Sequence, residues 1–397
     1  MSYNMLNFPT GNIQGRVDTL EKIVDYARPH LLMIQELKSA QGLASVTDMM
    51  NSLDYGDFQH SEFIEQQSPG SPGNLLQQAI VFDTEKLRLK SESVVLTDYR
   101  DINEFVLYLN DPLLPITSDT TFLYVYVTHL KSSTGADNEL ARLTMVNYLI
   151  EHFESLPPNA NVIFAGDFNL YTNTEAAYTA ITSTDNAIVM VDPFAEYGDW
   201  PGSNFLHKEI LTQSTRVNQV AADGASGGLD DRFDFILFSE SLMNEDNDLH
   251  FLQGSFESLG NTGNCYNENI TDCNIENPVP AEVLTAMYYM SDHIPQVCQL
   301  HTDIVDNIQN YRISDRSIFA FVSPANAKAL RYELTGFGAG TVLTIYNLQG
   351  QILYSWQTTN SDEKSSRNIP QLQSGCYVFH ACDVNGGCES NKFNITE

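Results

Sequence analysis

Four apolar runs in the first part of the chain share one pattern. Each reads as a buried strand, and each carries polar residues at or next to an end. They are Leu31-Leu32-Met33-Ile34-Gln35-Glu36, Phe122-Leu123-Tyr124-Val125-Tyr126-Val127-Thr128-His129, Asn161-Val162-Ile163-Phe164-Ala165-Gly166-Asp167 and Phe233-Asp234-Phe235-Ile236-Leu237-Phe238. Near-continuous hydrophobicity over so short a span suits strands covered on both faces. Between them, Val17 to Tyr26 and Glu139 to Phe153 carry helical spacing. Strand and helix in alternation give an α/β layered domain, and such domains usually carry their chemistry on loops at strand ends.

The character changes after about residue 310. Thr341-Val342-Leu343-Thr344-Ile345-Tyr346, a turn at Asn347-Leu348-Gln349-Gly350, and Gln351-Ile352-Leu353-Tyr354-Ser355-Trp356 read as a hairpin. Gly375-Cys376-Tyr377-Val378-Phe379-His380-Ala381 and Asn391-Lys392-Phe393-Asn394-Ile395 read as closing strands. This predicts a small all-β, immunoglobulin-like sandwich. The expected organisation is the α/β domain over residues 1–305 and the sandwich over 315–397.

Charge bears on partners. The chain has 51 Asp+Glu against 20 Lys+Arg, a net charge of −31. An acidic body of this kind has no global attraction for nucleic acid or for an anionic membrane. No run of about 18 apolar residues occurs, so no membrane insertion is expected. The first residues, Met1 to Leu6, show no basic segment and no long apolar one, so the chain is expected to open directly in a strand. Among six cysteines, Cys265 with Cys273 and Cys382 with Cys388 are close enough to form local disulfides, which would suit an oxidising compartment. The second pair flanks the turn Asp383-Val384-Asn385-Gly386-Gly387. With no CxxC and no evident Cys/His cluster, zinc is not expected.

Five strings carry polar residues that apolar packing does not explain: Tyr3-Asn4, Gln35-Glu36, Thr128-His129-Leu130-Lys131, Gly166-Asp167-Phe168-Asn169, and Ser291-Asp292-His293 with Arg232-Phe233-Asp234 before it. Taken singly, each has a plain structural reading. Glu36 could be a solvated strand end, His129 an ordinary histidine, and Gly166-Asp167-Phe168-Asn169 an Asx turn before a helix from Glu175. Asp234 is harder to dismiss, because a carboxylate in an apolar strand needs a partner or a metal. Asp167 and Asn169 lie two apart and would share a side on extended chain.

The five strings in this order and spacing resemble the endonuclease/exonuclease/phosphatase superfamily over about residues 1–303. The resemblance implies a four-layered α/β sandwich, two packed mixed sheets flanked by helices, with the site at one end of the sheets. It implies that Asn4, Glu36 and Asp292 lie on the metal side and hold Mg²⁺ or Mn²⁺, with Ca²⁺ as a further structural ion. Asp167 would orient or deprotonate the attacking water. Asn169 would hold a phosphate oxygen. His293, oriented by Asp234, would act on the phosphoryl group as general acid or base, and His129 would assist the leaving oxygen. Phosphodiester cleavage needs such positioning and charge neutralisation. Where the deoxyribonuclease branch often supports the first histidine with a Glu, this chain has Gln78, which leaves His129 less basic.

Gly228-Leu229-Asp230-Asp231-Arg232-Phe233-Asp234-Phe235-Ile236-Leu237 is similar to the nuclease form of its motif, and no inositol-phosphatase run or apolar membrane hairpin is evident. Thr212-Gln213-Ser214-Thr215-Arg216 is similar to secreted bacterial members. The expected substrate is DNA or RNA, with small phosphoesters or phospholipid headgroups as the alternative. Arg100, Lys131, Arg216 and Arg232 are expected to gather as a local positive funnel on the acidic body. The tail, through Leu343-Thr344-Ile345-Tyr346-Asn347-Leu348-Gln349-Gly350, Ile369 to Tyr377 and Lys392-Phe393, resembles the C-terminal sorting domain of the type IX secretion system of Bacteroidetes. That implies export by a Gram-negative bacterium, through its secretion machinery, to its surface or surroundings, and a monomer is expected.

Overall fold

The structure is a computed structural model and describes residues 1–10, 13–70, 76–111, 120–198, 200, 204–273, 276–302, 317–323, 326–347, 350–359, 361, 363–369, 372–383 and 388–395. The chain divides into two compact units, Met1–Val305 and Asp306–Glu397.

In the first unit the strands are β1 (Ser2–Phe8), β2 (Leu31–Leu37), β3 (Phe58–His60), β4 (Gln77–Asp83), β5 (Leu87–Val95), β6 (Ile102–Leu109) and β7 (Phe122–His129). They continue with β8 (Val162–Asp167), β9 (Met190–Val191), β10 (Asp234–Ser239), β11 (Leu249–Phe251), β12 (Glu257–Ser258), β13 (Gln296–Val297) and β14 (Leu300–Thr302). One six-stranded sheet has the order β12-β13-β1-β2-β4-β3, and a second has β5-β6-β7-β8-β10-β9. Both are mixed: β1–β2 and β7–β8 are parallel, while β8–β10 and β2–β4 are antiparallel.

The sheets face each other across Met33, Ile80 and Phe82 on one side and Phe105, Val125, Ile163 and Ile236 on the other. Helices close the outer faces. The helix Arg16–Ala27 buries Leu20, Ile23 and Val24, the spacing expected of one helical face, in a core shared with Leu32 and Ile34 of β2. The helix Ala40–Ser52 joins the same core, and its start is capped by the Ser39 hydroxyl, which accepts from the Gly42 N–H at 3.0 Å. On the second sheet the helix Ala136–Phe153 packs Met145, Leu149 and Phe153 against Tyr126 and Phe164. Four layers result, the architecture that the resemblance implied. The helices Ala40–Ser52 and Ala281–Met290 were not read from the sequence.

The second unit has β15 (Ser317–Ser323), β16 (Asn326–Thr335), β17 (Val342–Tyr346), β18 (Ile352–Gln357), β19 (Lys364–Asn368), β20 (Gly375–Cys382) and β21 (Cys388–Ile395). They form a three-stranded sheet, β15-β16-β19, and a four-stranded one, β18-β17-β20-β21. Leu330, Leu343, Ile345 and Phe379 are fully buried in one core drawn from both. Leu348, Gln349, Pro370, Gln371, Val384 to Gly387, Thr396, Glu397 and the stretch 303–316 lie outside the described residues. Cys265–Cys273 and Cys382–Cys388 are disulfides, while Cys298 and Cys376 are free thiols.

Arg232 corrects one expectation. Its guanidinium is not at a funnel mouth but in the second helix-side core, bidentate on Asp192 at 2.8 Å for both bonds and 4.1 Å over the Phe235 ring. Burial alone would raise Asp192, but the Arg232 charge overrides it and holds the carboxyl below its usual range. This depressed carboxylate lends stability that is present above the ordinary carboxylate range and is lost as pH falls through the folded value. Asp192→Asn should destabilise the chain by about 3–5 kcal/mol, because it strands a buried guanidinium. Denaturant unfolding checks this, and a loss under about 1 kcal/mol would show the pair to be dispensable.

Candidate active site

Strand register brings the polar ends together. In the second sheet His129 pairs across from Asp167, and Asp167 from Asp234, so three strand ends stand side by side. All three share the face of Val125, Ile163 and Ile236, which looks into the space between the sheets. On β1, Asn4 opposes Gln35 of β2. Alternation alone would turn Gln35, not Glu36, to the inter-sheet side, since Met33 packs there and Ile34 packs against the helices. Glu36 has φ 60°, and the register breaks between Asn4 and Phe8. This left-handed backbone, costing about 1–3 kcal/mol for a non-glycine residue, accompanies the turn of Glu36 toward the other carboxylates.

Asn4 links the two sheets. Its amide nitrogen donates to Asp167 Oδ2 at 3.0 Å and Glu36 Oε1 at 3.2 Å, and its oxygen accepts from the Leu6 N–H at 3.0 Å. Glu36 Oε2 accepts from the Asn7 N–H at 3.0 Å. His129 Nε2 is 3.5 Å from Asp167 Oδ2 and 4.0 Å from Glu36 Oε1. His293 Nδ1 is 2.7 Å from Asp234 Oδ2, and its Nε2 is 3.7 Å from Asp167 Oδ2. The loop bearing His293 is fixed by Ser291, whose hydroxyl donates to the Asn4 carbonyl at 2.7 Å and accepts from the His293 N–H at 3.1 Å.

Gly166 makes the close approach possible. A Cβ there, at φ 139°, would lie 2.0 Å from the Thr128 carbonyl oxygen. Asn169, at φ 50°, closes an Asx turn in which its N–H donates to Asp167 Oδ1 at 3.0 Å. A buried pair then ties the two loops that leave the site. Arg142 donates to Glu175 Oε2 at 2.8 Å and to the Lys131 and Ser133 carbonyls at 2.9 Å, while Glu175 Oε1 accepts from the Tyr171 N–H at 2.7 Å.

The ligand-capable atoms that converge within 4.8 Å belong to Glu36, His129 and Asp167. Asn4 and Asp292, expected on the metal side with Glu36, are not part of this triad. The Asn4 oxygen is engaged by Leu6, and Asp292 Oδ2 accepts from the Ala225 N–H at 2.6 Å and from Gln213 at 3.3 Å. Asp292 Oδ1 has no partner among the described residues. Glu36 is raised above its ordinary value by burial and then by the Asp292 charge. Two crowded carboxylates, one with an orphaned oxygen and one 12% exposed, fit a hard divalent cation.

The two histidines diverge. Burial would lower His293, but Asp234, Asp167 and Asp292 together hold it well above its ordinary value. His129 is pushed well below by burial, then by Arg100, His293 and Lys131, so its imidazole is neutral. Its Nδ1 has no partner among the described residues, and neither has the Gln78 amide nitrogen, so no carboxylate supports the ring at Nδ1.

Of the four funnel cations, Lys131 follows the His129 strand end, with its ammonium donating to the Ser132 carbonyl at 2.9 Å. Arg100 donates to the His129 and Leu130 carbonyls, each at 3.1 Å. Arg216 is fully buried and donates to the Tyr288 carbonyl at 3.1 Å. With Arg232 in the core, the four do not form an exposed funnel.

The sequence reading missed Gln213 and Arg16. Gln213 lies 2.6 Å from His293 Nε2, and its amide can serve either protonation state of the ring. The Thr212-to-Arg216 string carries a resemblance but no sign of this contact. Arg16 is buried and donates to the Leu6, Met5, Thr10 and Met290 carbonyls, so it pins the bent end of β1. An arginine at the start of an amphipathic helix gave no signal of that role.

No family model matches the chain, and no curated protein matches it. Solved structures similar to residues of the chain include D. rerio TDP2 complexed with a single-strand DNA product, at 16% identity and TM-score 0.48, covering 76% of this chain and 97% of that one. The human Nocturnin catalytic domain with bound sulfate is similar at 16% identity and TM-score 0.48, covering 76% and 91%. An endonuclease/exonuclease/phosphatase from Bacteroides vulgatus is similar at 14% identity and TM-score 0.47, covering 76% and 97%.

The raised carboxyls of Glu36 and Asp167 set a pH dependence. Their favourable contribution is complete below the unfolded carboxylate range, about 4, and is lost as pH rises through the folded values. A divalent cation opposes that loss. Mg²⁺ or Mn²⁺ should therefore raise Tm more at pH 8 than at pH 5 in thermal unfolding. Equal shifts at both pH values would contradict the carboxylate site.

Proposed function

We propose that the chain is a divalent-metal-dependent phosphodiesterase that hydrolyses nucleic acid outside the cell that makes it. The observation that supports this most is the Asn4 bridge, which gathers Glu36, Asp167, His129 and His293 at one end of the facing sheets. In this reading Glu36 and Asp292 hold the cation. When bound, it would neutralise charge on phosphate oxygens. Asp167 orients the attacking water. His293, kept protonated and oriented by Asp234, donates to the phosphoryl group and moves its proton. Asn169 and the neutral His129 contribute hydrogen bonds rather than charge.

Export is supported by the tail's resemblance to type IX sorting domains and by the two disulfides, which suit an oxidising compartment. No helix among the described residues is long and apolar enough to cross a membrane. A second reading has its own support. With Arg216 and Arg232 buried inside and a net charge of −31, little surface charge favours a long polyanion, so a small phosphodiester is the alternative substrate.

Plasmid DNA and bis-p-nitrophenyl phosphate, each with and without EDTA, separate the two. The nuclease reading expects EDTA-sensitive cleavage of both, and cleavage of the small ester alone would sink it. His293→Ala should lower turnover at least about a hundredfold, the scale of general acid–base catalysis. Near-normal turnover would remove His293 from the chemistry.

A further inference from the structure

The second unit holds a cluster that the proposed hydrolysis does not use. His380, Cys382 and Cys388 bring one ligand atom each within 4.8 Å of one another. No Cys/His cluster is expected from the sequence, yet His380 stands two residues before Cys382, and strand pairing sets Cys388 opposite Cys382. Cys382 lies directly opposite Cys388, and His380 opposite Ser390, in the ladder that joins β20 and β21. Period-two alternation puts all four on one face, while Phe379 and Ala381 fill the core on the other. His380, Cys382 and Cys388 are half-buried, so solvent reaches them.

Two details favour a ligand set over coincidence. His380 Nε2 is 2.9 Å from Cys382 Sγ, so the ring presents this nitrogen to the sulfurs. Its other nitrogen, Nδ1, is 2.7 Å from the Ser390 hydroxyl, the outer hydrogen bond that metal-bound histidines commonly use to fix ring orientation. The ladder runs from Gly375 opposite Ile395 to Cys382 opposite Cys388, so backbone pairing holds the sulfurs together without the covalent bond.

We propose that this cluster is a soft-metal site with two states. With the disulfide formed, the sulfurs are bonded to each other and the site is closed. A dithiol reductant opens it: two electrons and two protons convert the S–S bond to two thiols, and the dithiol becomes its own disulfide. The thiols then lose their protons as one Cu⁺ binds to two thiolates and His380 Nε2. Three donors, two of them soft sulfur, suit Cu⁺ better than Zn²⁺, which favours four ligands.

The test uses the full chain, reduced and kept free of oxygen, titrated against Cu⁺ held by a coloured chelator. The reduced parent should withdraw one equivalent more than reduced Cys382→Ser/Cys388→Ser, in which Cys265 and Cys273 are the remaining disulfide-derived thiols, and the oxidised protein none at this site. His380→Ala, which leaves the disulfide intact, should weaken the reduced form's affinity at least about tenfold. Cys376→Ser, outside the cluster, should leave it unchanged. Equal uptake by the His380→Ala and parent chains would overturn the proposal. So would full uptake by Cys382→Ser, or tighter binding of Zn²⁺ than of Cu⁺ to a fourth-ligand water site.

Discussion

One side-chain amide holds the first unit's site together. Asn4 stands on one sheet, Asp167 on the other, and its amide nitrogen also reaches Glu36. Without a donor between them, two largely buried carboxylates would face each other with only repulsion to set their spacing. A charge-assisted hydrogen bond to each fixes that spacing and lowers the cost of keeping both ionised. The Leu6 N–H fixes which way the amide points, because it takes the oxygen. The remaining features of the site can be read as support for this arrangement.

That support has a local conformational cost. Leu6, Asn7, Glu36 and Asn169 all have positive φ, in the segments where the strands end. Such strain persists only where surrounding contacts over-determine it. Arg16 supplies this for β1 by donating to the Met5 carbonyl before the bend and the Thr10 carbonyl after it. The Arg142–Glu175 pair supplies it for the loops after β7 and β8. Both arginines are committed to structure, which explains why a chain with 20 basic residues shows so little free positive charge at its site.

Much of this was legible in the sequence because strand ends are readable. The run ending at His129 matches β7 residue for residue, and Asp167 ends β8 as read. Asp234 in an apolar strand did require a partner, and His293 is that partner. What was not legible depends on three-dimensional direction. Asn4 was read as a metal ligand, but residue type does not say which end of an amide faces inward. Arg232 was read as a substrate cation, because nothing in a linear string showed Asp192 or the Phe235 ring beneath it. The Gln213 contact with His293 joins segments whose spacing carries no period.

The central claim is that Glu36 and its neighbours form a divalent-cation centre. Electron paramagnetic resonance of Mn²⁺ titrated into the chain measures this directly, since free and bound Mn²⁺ differ in signal. The account predicts tight uptake by the parent chain and loss of that uptake in Glu36→Gln, with the fold retained. Unchanged Mn²⁺ uptake by Glu36→Gln would contradict it.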